Sequence, residues 1–146
     1  MNELRYDIPR LRKAVEHAET HPEEFDMRFW VAREGTEQHC RTIACLAGTI
    51  VIQADGMEAV SDWEEPWGVD AEALREDGWL VAGSVGSGEE WTAIRARAAR
   101  LIGLDPVRDE PLVGALFLYN STTEAQRRVT SSNIRQHVET VLGVTL

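Results

Sequence analysis

The apolar positions of this chain fall mostly at helical spacing. The clearest case is the stretch from Cys40 to Gly56, the most hydrophobic continuous segment. In it Ile43, Leu46, Ala47, Ile50, Val51 and Ala54 recur at i, i+3, i+4, i+7, i+8 and i+11, one face of an α-helix. The opposite face carries Cys45, Gly48 and Ile52, so neighbours can pack on both sides. Gly56 follows as a residue suited to stopping a helix. The pattern predicts a central buried helix over about residues 42–55.

Upstream, Asp7 precedes Ile8-Pro9 as an N-cap, and Ile8, Leu11, Val15 and Ala18 form the apolar stripe of a helix running to about Thr20. His21-Pro22 closes it, because the residue before proline is pushed out of the α region. Pro22 to Phe25 predicts a short helical turn, and the polar run Arg33 to His39 a loop. Downstream, Ser61 to Gly68 reads as an ordered loop and Val69 to Gly78 as a short helix with a glycine stop. Trp79 to Ala82 is an extended or buried link, and Gly83 to Gly88 a flexible joint. Glu89 to Leu101 predicts a helix ended by Gly103. Leu112 to Tyr119 predicts a short buried helix, at a length that also suits a strand. A last helical region spans Glu124 to Leu142, with a break near Ser131-Ser132 and Gly143 as its cap. Strand-like alternation is scarce. The expected fold is all-α, one compact domain of about five to seven helices wrapped on the central one.

At 146 residues with 43% apolar content, the chain can build a core without a metal or disulfide. Its longest apolar run, about Ile43 to Ile52, is half the roughly 20 residues a membrane-spanning helix needs, and the first residues lack a hydrophobic signal core. A soluble, cytoplasmic protein with reduced thiols is expected. The net charge of −10 is uneven: residues 1–56 hold 7 basic and 10 acidic side chains, 57–92 hold 1 and 10, and 93–146 hold 7 and 5. The acidic middle block also holds Trp63, Trp67, Trp79 and Trp91, four of the five tryptophans. Such a field repels phosphate and argues against direct nucleic-acid binding, leaving a basic protein surface as the better partner.

Three pieces of the sequence carry a resemblance: His21-Pro22-Glu23-x-Phe25-Asp26-Met27-x-x-Trp30, Cys40-x-Thr42-x-Ala44-Cys45-Leu46-Ala47-Gly48, and Ala98-x-x-Leu101-x-Gly103-Leu104. In this order the chain resembles a set of small uncharacterised proteins of bacteria and their phages, over about two thirds of its length. In that set a glycine commonly follows the first cysteine and an aromatic residue often follows Ala-Gly, whereas Arg41 and Thr49 stand here. The resemblance implies a shared fold, with His21, Pro22, Phe25, Asp26, Trp30, Thr42 and Gly48 as its structural motif. It implies no activity.

The thiols are the first candidates for chemistry. With Thr42 as N-cap, Cys45 would take the third helical position, where backbone N–H groups favour a thiolate. The same placement suits a small side chain buried between helices, the commoner fate of a free cysteine. A thiol-dependent hydrolase or transferase using Cys45 or Cys40 would need a histidine in reach; His39 adjoins Cys40, and His137 lies on the terminal helix. A metal set of His39, Cys40 and Cys45 with His17 or His21 departs from the recurrent zinc spacings, so no metal or cofactor is expected. His21 reads as a capping or loop side chain. Asp26 reads as an acceptor for backbone N–H groups at a following helix start, that of the central helix among them. Gly83-x-x-Gly86-x-Gly88 lacks the Gly-Lys-Ser/Thr ending of a phosphate loop and abuts Glu89 and Glu90.

Trp63, Glu64, Glu65 and Trp67 are the binding candidates, with indoles as anchors and carboxylates steering a basic partner. Two functions from different classes follow. The favoured one is a small acidic interaction or regulatory protein of phage or mobile-element type, one version being an inhibitor that imitates nucleic-acid charge. The other is the thiol-dependent enzyme.

Overall fold

Helix α1 (Ile8–Thr20) forms where the stripe predicts, with the Asp7 side chain accepting from the Arg10 N–H at 3.1 Å. In the computed structural model, described over residues 5–34, 42–61, 63–66, 72–87, 90–118 and 122–146, α1 buries Leu11, Ala14, Val15 and Ala18. A 3-10 turn, Pro22–Glu24, then sends the chain into strand β1 (Val31–Glu34). After it come β2 (Thr42–Ala44), helix α2 (Leu46–Asp55), β3 (Val60–Ser61), α3 (Glu72–Glu76), β4 (Trp79–Ala82), β5 (Ser84–Ser87), β6 (Glu90–Ala93) and α4 (Ile94–Leu101). The C-terminal part is helical, with α5 (Glu110–Phe117), α6 (Thr123–Arg128) and α7 (Ile134–Leu142).

The expectation of an all-α fold is therefore wrong: the fold is mixed α/β. Among the described residues there are two three-stranded antiparallel sheets, in the orders β2-β1-β4 and β3-β5-β6. In the first, Val31 stands opposite Ala44 on one side and Ala82 on the other. In the second, Val85 faces Val60 and Thr92. Residues 42–44, assigned above to the central helix, are β2. Glu90–Ala93, assigned to the helix ending at Leu101, is β6. Ser84–Ser87, expected to be a flexible joint, is the middle strand of the second sheet, paired on both sides. The strands have two to four residues, too short for a two-residue alternation to stand out, and the pairings of β1 with β4 and β3 with β5 join segments far apart along the chain.

The central helix itself forms, shortened at its start. The first six residues of α2, Leu46 to Val51, are all buried, because α1 and α4 pack on it from different sides. Ala98 and Ala99 are fully buried on α4, and their small side chains let the two helices approach closely. Gly56 ends α2 at a φ of 86°, a backbone conformation that costs glycine little. The pair α5–α7 closes the core beside α1, with a His137 ring nitrogen 3.0 Å from the Leu116 carbonyl oxygen. The last helical region is broken between Arg128 and Ile134, where Asn133 accepts from the Thr130 N–H at 2.8 Å.

Candidate functional site

The two longest motif pieces meet in the structure. Phe25 pairs in parallel with Ala44, the Asp26 N–H donates to the Ala44 carbonyl at 3.1 Å, and the Cys45 N–H donates to the Phe29 carbonyl at 2.8 Å. Thr42 is not an N-cap; it lies in β2 opposite Arg33. The N-cap of α2 is Cys45, whose sulphur accepts from the Gly48 N–H at 3.4 Å and lies 3.7 Å from the Trp30 carbonyl oxygen. Cys45 is 1% exposed. Burial pushes its thiol up to about 12, outweighing the backbone N–H groups of Gly48, Ala47 and Cys45 that act in the opposite direction. A thiol kept neutral at that depth supplies no thiolate near neutral pH.

Cys40 and His39 lie outside the described residues, as does Trp67. Asp26 does not cap the central helix. Its carboxylate accepts from the Arg28 N–H at 2.9 Å and is clamped by the Arg28 guanidinium, with contacts down to 2.7 Å. Pro22 opens the 3-10 turn as the sequence pattern expects, and His21 caps the end of α1 through its N–H to the His17 carbonyl at 2.9 Å.

Trp63, Glu64 and Glu65 lie along an edge. The Glu64 N–H donates to the Val81 carbonyl at 2.9 Å and the Val81 N–H returns to Glu64 at 2.8 Å, so this short segment extends the first sheet beyond β4. Helix α3 packs against the same strand, and Arg75 reaches from α3 to the Pro66 carbonyl at 2.8 Å. That bond ties α3 to the edge segment. The result is a border bearing exposed Glu64 and Glu65 from one piece and exposed Glu72, Glu76 and Asp77 from the other. Among the described residues, Glu65, Glu72, Glu76 and Asp77 make no ion pair, whereas Asp7, Glu19, Asp26, Asp55, Asp109 and Glu124 are each held by an arginine.

Sequence reasoning missed the role of Arg33. Its guanidinium carbon sits 4.2 Å from the centroid of the Trp63 ring, and its buried Nε has no hydrogen-bond partner among the described residues. Trp63, half-buried against the core, is thus braced by a cation on its face. Nothing local in the sequence joins residues 33 and 63; β4, between the two segments, does.

A cavity of about 430 Å³ lies between the end of α2, the second sheet and α4. Its charge is largely spent internally, since Arg97 makes two 2.8 Å bonds to Asp55. Among the described residues, no helix is long and apolar enough to cross a membrane. Compared with protein-family models, curated proteins and solved structures, the chain matches none.

Proposed function

We propose that this chain is a small acidic interaction or regulatory protein, of the kind carried by phages and mobile elements, that docks on a basic protein surface through the outer border of its first sheet. The observation that carries this reading is the convergence of Glu64 and Glu65 with Glu72, Glu76 and Asp77 at the outer edge of β4, drawn together by the Glu64–Val81 pairing and the Arg75–Pro66 bond. Of these, Glu65, Glu72, Glu76 and Asp77 make no ion pair among the described residues and keep their field for an approaching cation, and such fields act on association rate and on choice of partner. Trp63 contributes as a braced, half-buried platform rather than as a free anchor.

The test is affinity capture with the tag-free chain, followed by titration of the purified partner at several salt concentrations. Reversing Glu64 and Glu65 to lysine should abolish capture, and rising salt should weaken binding of the unaltered chain. Partners retained after E64K/E65K together with W63A and W67A would remove the proposal.

A further inference from the structure

We propose that His17, His21 and Glu24 form a binding site for one divalent transition-metal ion, zinc being the ion their chemistry fits best. The site goes beyond the docking function and does not depend on it. His17 lies in the last turn of α1 and His21 is its C-cap, four residues on, and the two rings stack with their centroids 4.6 Å apart. Pro22 then stops the helix, and the 3-10 turn swings the chain back: the Glu24 N–H donates to the His21 carbonyl at 2.9 Å, which brings Glu24 Oε2 to 3.7 Å from His17 Nε2. The ligand atoms of the three residues all lie within 4.8 Å of one another. A tetrahedral ion with bonds of about 2.1 Å needs ligand separations of roughly 3.4 Å. Small torsions of these partly exposed side chains close the difference.

The hydrogen bonds around His21 select the ring nitrogen that would bind. Thr20 Oγ1 has one proton, and its shortest acceptor is the Glu16 carbonyl at 2.8 Å. The hydroxyl oxygen, 2.9 Å from His21 Nδ1, is then left to accept from an Nδ1–H. That tautomer leaves Nε2 unprotonated, with Thr20 as the outer partner that orients a ligating imidazole. The His17 and His21 rings stack at 4.6 Å between centroids, an arrangement that two imidazolium cations would resist and two neutral ligands accept.

Three protein ligands leave one position open. His17 and Glu24 also line a cavity of about 230 Å³, whose floor includes Thr49 and Gln53 of α2. The buried Oε1 of Gln53 has no hydrogen-bond partner among the described residues. The cavity has room for a water on the fourth position. Two imidazoles with one carboxylate suit zinc better than calcium or magnesium, which prefer all-oxygen sets.

The experiment is calorimetric titration of chelator-treated, tag-free protein with Zn²⁺, repeated with Co²⁺ as an optical reporter of coordination. One ion per chain is expected. H17A, H21A and E24A should each weaken binding at least tenfold, with circular dichroism unchanged, while H137A and C40S bind as the unaltered chain does. Independently of any variant, Zn²⁺ should protect His17 and His21 of the unaltered chain from diethyl pyrocarbonate. The absence of a one-equivalent binding event, retention of full affinity in the H17A/H21A double variant, or protection confined to His39 or His137 would each overturn the assignment.

Discussion

The α-carbon of Gly48 is pressed against the Trp30 carbonyl. A methyl group added at position 48 would overlap that oxygen, crowd its carbon and meet a methyl of Val31. Here the first turn of α2 crosses the start of β1, and the obstruction is backbone rather than a movable side chain. Replacing Gly48 by alanine should cost about 3 kcal/mol or more, at or beyond the upper end for overpacking, because neither α2 nor β1 can retreat without breaking its own pairing. The urea midpoint of G48A measures it; a midpoint equal to that of the unaltered chain would mean the two elements stand apart.

Cys45 should resist alkylation. With its thiol pushed up to about 12 by burial, iodoacetamide near neutral pH should leave Cys45 unmodified in the folded chain and label it rapidly in urea. Peptide mass spectrometry reads the two states separately for each cysteine. Labelling of Cys45 at the rate of a free thiol in the folded chain would expose an error in its placement at the head of α2.

Core and surface should respond unequally to truncation. Ile50, at 0% exposure in the middle of α2, touches the interior on all sides, and I50A should lose about 2–5 kcal/mol through transfer and cavity costs. Val107 is 84% exposed in the connection before α5, and V107A should stay within about 0.5 kcal/mol. Thermal denaturation of both variants makes the comparison, and equal losses would contradict the burial described.

Asp55 should give the fold an acid-sensitive contribution. Hydrogen bonds from Arg97, reinforced by its charge, hold the Asp55 carboxyl below its ordinary range against the opposing pull of burial. A depressed folded value means stabilisation that is complete above the unfolded value, about 3.9, and is lost as pH falls through the folded one. Arg97 is 39% exposed, so solvent screening limits the pair to the order of 1 kcal/mol. D55N should cost about that much at neutral pH, and the gap from the unaltered chain should narrow below about pH 4. A gap that widens in acid would reverse the sign assigned to this pair.

The candidate sites were legible only in part. The acidity of the middle block and its tryptophans can be counted from the sequence, but the gathering of Glu64 and Glu65 with α3 needs the Glu64–Val81 pairing to β4 and the Arg75–Pro66 bond. The i, i+4 spacing of His17 and His21 is visible in the chain, while Glu24 joins them only because the 3-10 turn doubles back. Cys45 was placed a full turn too deep, as β2 occupies residues assigned to the start of the helix.

What the sequence determined by itself is the set of helices whose signals are local. The Asp7 cap and the stripe ending at Thr20 make α1, and Gly56 ends α2, because capping and i, i+4 packing act within a few residues of where they are written. What only the tertiary structure decided is where the chain becomes strand. Thr42-Ile43-Ala44 and Glu90 to Ala93 run directly into helices and carry no separate pattern of their own. Their conformation is set by hydrogen bonds to β1 and β5, strands that lie outside the helices they run into.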